Sequence, residues 1–225
     1  MKTSSKLFGG SHILHLTAFE DKKDILEHVY AHTKVTLPEK VKPMKLLGNN
    51  NIAVLSKGYY AFAVPDDLEI FLYFTKYRGT NRCFLICRQL GAGFTQPKVL
   101  LLFPNVTDNE IYSGSGTLIE ATRVYATDNR FFILLTDVQW FKGEKVSQLN
   151  IIERLKKLGE FMKNGFKEDL QQFPFRLQIA TPYEHLNLLE QRLSNLPYTV
   201  NRILFVPPHK KRDVLYYPLS RQIHY

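Results

Sequence analysis

Cysteine is nearly absent from this 225-residue chain: Cys83 and Cys87 are its only two. Four apart in a strand-like run, they share one face at about 13 Å, too far for an undistorted disulfide. They are expected as small core residues in a reducing compartment. The sequence has no run of about 18 apolar residues to cross a membrane as a helix. Its opening, Met1-Lys-Thr-Ser-Ser-Lys-Leu-Phe-Gly-Gly10, lacks the apolar stretch of a signal peptide. The expectation is a soluble, intracellular protein of the nucleus, the cytoplasm or both, with no membrane partner. Also missing are GxxxxGK[ST], HExxH, CxxC and GxSxG, the signatures of P-loop, zinc-peptidase, dithiol and hydrolase chemistry. There is no internal repeat and no low-complexity tract.

Hydrophobic residues make up 44% of the chain and aromatic residues 13%, enough to bury a core as one large domain or two small ones. The net charge is +9, and the excess lies at the two ends. Residues 1–58 carry +4, residues 59–150 are neutral and residues 151–225 carry +5. Basic ends favour a nucleic-acid or nucleotide partner through counterion release; the plainer reading is solubility. The seven histidines are scattered. His12 and His15 could share a helical face, and His28 and His32 stand four apart. No acid or cysteine lies at a recognisable ligand spacing beside them, so neither a metal site nor a cofactor is expected.

Residues 20–34 place Ile25, Leu26, Val29 and Tyr30 on one helical stripe, with acids early in the segment. Pro38, Pro43 and Gly48-Asn-Asn-Asn then break the chain. From Ile52 to Leu102, short runs rich in Val, Ile, Phe and Tyr are separated by turn residues, as antiparallel strands require. Residues 116–125 and 130–141 read as a hairpin. Leu149, Ile152, Leu155, Leu158, Phe161 and Met162 then set a helical period over 148–164, with Lys156, Lys157 and Lys163 on the polar side. Pro182, Leu186, Leu189, Leu193 and Leu196 outline another helix, and 202–206 and 213–217 are the last strands. This order predicts an α+β fold.

The run Tyr60-Ala-Phe-Ala-Val64-Pro-Asp66-Asp67-Leu-Glu69, followed by Cys83-Phe-Leu-Ile-Cys-Arg88, resembles the nucleotide-attachment region of the covalent nucleotidyltransferases. Those are the mRNA capping guanylyltransferases and ATP-dependent ligases, in which a strand leads into Lys-x-Asp-Gly-x-Arg. Further pieces match in order: Thr117-Leu-Ile-Glu120-Ala-Thr122, Phe132 through Asp137, Trp140 and Gly143, Ile151-Ile-Glu-Arg-Leu-Lys, Phe173-Pro-Phe-Arg-Leu, Asn201-Arg202-Ile-Leu-Phe205 and Val214-Leu-Tyr-Tyr-Pro218. The resemblance implies a nucleotidyltransferase-like domain over 46–225, built of twisted antiparallel sheets flanked by helices and without an OB domain. Residues 1–45 are expected as a helical segment packed on it.

In that family a lysine attacks the nucleotide α-phosphate, a hairpin acid helps hold Mg²⁺ and two late lysines neutralise phosphate. The matching positions here are Val64, Thr122, Leu215 and Tyr217. A valine cannot form a phosphoramidate, so the resemblance implies a pseudoenzyme with no catalytic residues. Asp66, Asp67 and Glu69 stand where phosphates would lie. They either repel a nucleotide, are bridged by a metal, or form an ordinary solvated turn. Catalysis through another lysine, Lys57 or Lys98, is the remaining enzymatic reading.

The turn Val64-Pro-Asp-Asp-Leu68, Val54-Leu-Ser56-Lys-Gly-Tyr59 and the Trp140-x-x-Gly143 segment are also similar to the cap-binding domain of the snurportin family. That resemblance puts Ser56, Lys98 and Tyr216 near cap-contacting positions. A methylated guanine is a cationic ring suited to aromatic walls, for which Tyr59, Tyr60, Trp140, Tyr216 and Tyr217 are candidates. His209-Lys210-Lys211-Arg212 would supply phosphate contacts. The expected partner is RNA, with a methylated 5′ cap as ligand. The alternative is a scaffold or regulatory subunit with protein partners in a transcription, RNA-processing or import complex. An open aromatic cleft would favour RNA, and a filled cleft with an apolar outer patch would favour the scaffold.

Overall fold

The aromatic and β-branched runs in the middle of the chain pair into a large sheet. The computed structural model describes residues 1–8, 11–38, 44–48, 52–56, 58–65, 67–127, 130–167, 174–209 and 213–219. Among these, the first sheet runs β1 (Thr3–Phe8), β2 (Ser11–Leu16), β7 (Val99–Leu102), β6 (Thr80–Cys87), β5 (Leu68–Tyr77), β8 (Thr117–Tyr125), β9 (Phe131–Phe141) and β10 (Glu144–Lys145). β11 (Phe175–Leu177) lies parallel to β9 at Ile133 to Leu135. A second sheet runs β12 (Thr181–Pro182), β4 (Tyr60–Pro65), β13 (Val200–Val206), β14 (Leu215–Pro218) and β3 (Lys45–Leu46). Neighbours are antiparallel except β11 with β9 and β14 with β3. With α1 (Phe19–Thr33), α2 (Ile52–Leu55), α3 (Ile151–Glu160) and α4 (Leu186–Leu193), the fold is mixed α+β with large antiparallel sheets.

Alternation along β5 decides which layer each side chain enters. Phe71, Tyr73 and Tyr77 pack with Phe84, Ile86 and Leu101 against Ile25 and Val29 of α1. Ile70, Leu72 and Phe74 face the other way, joining Leu85, Ile133 and Leu135 against Ile151, Leu155 and Leu158 of α3. Burying each such side chain is worth about 1.5–3 kcal/mol. Cys83 and Cys87 lie in this second layer as buried free thiols, as their spacing suggested. The second sheet packs Phe62, Leu204 and Val206 on the same layer. Its opposite face buries Ala61, Ile203 and Phe205 with Leu55 of α2 and Leu189 of α4.

Several elements differ from the expectation. The residues before α1 are β-structure: β1 and β2 pair from Thr3–Leu16 to Phe8–Ser11, and β2 joins β7. The segment holding His12 and His15 is therefore strand, and the helical spacing does not apply. In α1 the buried positions are Ile25, Val29 and Thr33, four apart, which leaves Tyr30 one position off the stripe and exposed. Ile52–Leu55 is a turn of helix rather than a strand, with only Leu55 buried. α3 starts at Ile151 because Asn150 and Glu153 form a reciprocal capping box, with Glu153 N donating to Asn150 Oδ1 at 2.9 Å and Asn150 N to Glu153 Oε2 at 3.0 Å. It ends in a π-turn over Phe161–Gly165. α4 begins only after a 3₁₀ turn, Tyr183–His185.

The β8–β9 hairpin lies within one residue of the predicted limits, and Ala126 N donates to Arg130 O at 2.7 Å across its turn. Gly116, at its entry, has φ +76°, and a Cβ there would sit 2.2 Å from the carbonyl oxygen of Phe74. Only glycine allows this approach.

Candidate functional site

The chain crosses from the second sheet to the first between β4 and β5, where the attachment-like cassette lies. Val64 is half-buried and pairs with Arg202 of β13. Asp66 and Lys57 lie outside the described residues. Asp67 accepts from Leu68 N at 2.8 Å and Tyr125 N at 2.9 Å, and its carboxylate lies 3.7 Å from the Arg123 guanidinium. It fastens the corner to the end of β8, and with Glu69 paired inside β5 this is a bonded corner rather than the solvated turn the sequence suggested.

From Glu69 an alternating row of charges crosses both sheets. Arg202 Nη2 is 3.6 Å from Glu69, Arg88 Nη1 is 3.6 Å from Glu69 and 3.1 Å from Glu120, and Gln139 Nε2 donates to Glu120 at 2.7 Å. Beside it Asp137 takes a forked pair from Arg154, Nε at 2.6 Å and Nη2 at 3.0 Å, while Arg154 Nη1 donates to Leu149 O at 2.5 Å. Burial holds the Asp137 carboxyl above its ordinary pKa, and the Arg154 guanidinium offsets this only in part. An incoming phosphate would have to displace carboxylates already bound by these arginines. Arg202 Nε and Asn201 Oδ1 are buried without a hydrogen-bond partner. Lys142, in the Trp140-Phe-Lys-Gly turn, is held by Asp108 at 2.8 Å, Glu160 at 3.1 Å and Glu110 at 3.6 Å, which raises its pKa and ties the turn to neighbouring elements.

The aromatic candidates divide among separate apolar clusters. Tyr59 is 2% exposed in the α4-side cluster of the second sheet, its hydroxyl donating to Asp213 O at 3.2 Å. Tyr60, half-buried, packs against the α3-side core. Trp140 packs against the cluster under α1, on the opposite face of β9 from Phe141. Tyr216 stands opposite Leu204, which stands opposite Phe62, so it shares the face of the second sheet that carries Tyr60. Tyr217 faces the other way and is 50% exposed. The structure thus brings Tyr60 and Tyr216 to one face and leaves Trp140 elsewhere.

Of the polar candidates, Ser56 is exposed and donates to Ala53 O at 2.9 Å, closing the turn of α2. Lys98 is exposed at the entry to β7, its carbonyl accepting from Cys87 N at 2.9 Å. His209 is exposed, and Lys210, Lys211 and Arg212 lie outside the described residues. Burial raises the pKa of Cys83 and Cys87, which makes both poor nucleophiles. His28 and His32 stack at 4.1 Å between ring centroids; His28 Nε2 meets Thr75 Oγ1 at 3.0 Å and His32 Nδ1 meets His28 O at 2.8 Å. Burial, and then the neighbouring His32, lower the His28 pKa. Among the described residues no group of three or more His, Cys, Asp or Glu is placed to hold a metal ion.

The sequence reading missed a groove of about 150 Å³ between β9, β11, β4 and α4, walled by Phe132, Leu134, Leu177, Leu189, Leu196 and Tyr198. Arg176 and Arg192 also line it. Its lining comes from segments scattered between residues 63 and 198, so no local pattern announces it. Ile179, 56% exposed in the connection between β11 and β12, is the one local sign, an isoleucine placed in solvent.

No protein-family model matches this chain, and no curated protein matches it. No described helix is long and apolar enough to cross a membrane.

Proposed function

We propose that this chain is a non-catalytic protein with a nucleotidyltransferase-like layout that acts by holding partners, as a scaffold or regulatory subunit of a transcription or RNA-processing assembly. The observation that carries this reading is that the aromatic candidates fall on several faces, with only Tyr60 and Tyr216 sharing one, and those two half-buried. Tyr59 is a core residue hydrogen-bonded to backbone, and Trp140 packs, half-buried, against the cluster that includes Ile25 and Val29 of α1. Two walls around a methylated base would need rings on one surface. Two further observations support it. The arginines nearest Val64 are engaged by Glu69 and Glu120, and an open apolar groove lies elsewhere. The transcription or RNA-processing setting rests on the family resemblance and the basic ends of the chain.

RNA binding at a methylated cap is the second reading. It is favoured by Tyr60 and Tyr216, both half-buried on one face of the second sheet, the latter following the basic segment 209–212 by a few residues. Calorimetric titration with trimethylguanosine-capped, monomethyl-capped and uncapped RNA of one sequence, at fixed near-physiological salt, separates the two. A scaffold binds all three alike or not at all. A tenfold preference for either cap, about 1.4 kcal/mol, would replace the first reading with the second. A stable covalent adduct with labelled GTP or ATP and Mg²⁺ would overturn both.

A further inference from the structure

The apolar groove has the size, charge and unmet polar group of a docking site. About 150 Å³ is the volume that takes one benzene-sized group and falls short of the roughly 300–1,000 Å³ of small-ligand sites. It therefore suits a single bulky side chain rather than a nucleotide. Its walls are apolar, and among the described residues its lining includes two arginines and no acid. Arg192 lies on α4 and is exposed, while Arg176, exposed on β11, donates through Nη1 to Phe175 O at 2.8 Å. Thr181 also lines the groove. It is 2% exposed, and its hydroxyl is buried without a hydrogen-bond partner, a donor whose burial is unfavourable until something answers it. Gln178, beside it, is already used, donating to Ala63 O at 3.0 Å.

We infer that this groove receives a segment of a protein partner bearing one large apolar anchor side chain flanked by Asp or Glu, the anchor between α4 and β9, the acids on Arg176 and Arg192, and a polar group of the segment on Thr181. Resting on the scaffold reading, the inference names the kind of partner that reading requires. A buried anchor with a charged rim is the usual economy of such contacts, the anchor carrying affinity and the rim selecting the partner.

The test uses the full chain and fluorescein-labelled hexapeptides holding Leu, Ile, Met, Phe or Trp between pairs of Asp or Glu, read by anisotropy at fixed salt. At least one should bind below about 1 mM, a weak affinity for one anchor. Replacing its anchor by Ala should weaken it tenfold or more. Arg192→Glu, an exposed change that leaves the core intact, should also weaken it tenfold, and replacing the peptide acids by Lys should restore binding to that variant. Thr181→Val, which keeps the shape and removes the hydroxyl, should weaken it several-fold. Failure of every peptide, or indifference to both anchor removal and Arg192→Glu, would overturn the groove assignment. Cap-selective RNA binding that survives Arg192→Glu would sink the scaffold reading on its own, so the two failures are distinguishable.

Discussion

Replacing Arg154 by Met should remove a large share of the stability of the fold. Arg154 is 3% exposed and gives both edges of its guanidinium to Asp137 and Leu149 O. It thereby ties α3 to β9. Methionine fills much of the same volume but leaves the half-buried Asp137 carboxylate, already beside Glu120, without its counter-charge. Removing one partner of a buried pair costs about 3–5 kcal/mol, whereas exchanging both for well-packed apolar residues is close to neutral. A domain of ordinary stability has about 5–15 kcal/mol in all, so the single variant loses about a fifth or more. Urea unfolding of wild type, Arg154→Met, Asp137→Val and the double variant, followed by circular dichroism, should show two costly single changes. The double variant should be nearer wild type than either. The deficit of Arg154→Met should also shrink as pH falls from 7. Burial alone raises the Asp137 pKa, so the folded state then holds the proton more tightly than the unfolded state does. Simple addition of the two single costs in the double variant would refute the reasoning.

Gly116→Ala combines a left-handed φ with a Cβ at 2.2 Å from Phe74 O; a loss of about 2–4 kcal/mol is expected from both sources, and a denaturation midpoint equal to wild type would count against the described turn. Tyr59→Phe removes the hydroxyl bond to Asp213 O and should cost about 1 kcal/mol in denaturant unfolding while leaving any RNA affinity unchanged; a clear drop in affinity would return Tyr59 to the binding surface. Because the His28 pKa is lowered below 6.5 by burial and by His32, its contribution is fully present above pH 6.5 and fades as pH falls below that value. His28→Gln should therefore show a smaller drop in melting temperature between pH 7.5 and pH 5.5 than wild type, and an equal or larger drop would contradict this account.

Short-range physics made much of the fold legible. Short runs rich in Val, Ile, Phe and Tyr between turn residues placed strands in 68–77 and 117–125, and the recurrence of Leu155, Leu158 and Phe161 placed a helix after the hairpin. The same holds for the face shared by Cys83 and Cys87, because strand geometry alone decides it. The β1–β2 hairpin carried its own sign, the Gly9-Gly10 dipeptide between apolar runs, and the sequence reading passed over it. Ile52–Leu55 could not be recognised as helix, since four residues hold no period to measure. The site was less legible than the fold. Neighbouring aromatic residues on a strand must point to opposite faces, but which face meets a core depends on the layer laid against it. Tyr59 is buried because α2 and α4 cover that side of the second sheet, and Trp140 is half-covered because it packs against the cluster that α1 shares on the first.

What the sequence determined by itself is what one segment settles alone: the turn residues, the strand and helix periods, the valine at position 64 and the basic excess at both ends. Tertiary structure alone decided that Glu69 meets Arg88 and Arg202, that Arg154 meets Asp137, and that Phe132, Leu189 and Ile179 surround one groove. Those contacts join residues 17 to more than 100 positions apart. Packing of sheets and helices chooses among such pairings, and no local rule of propensity or spacing does.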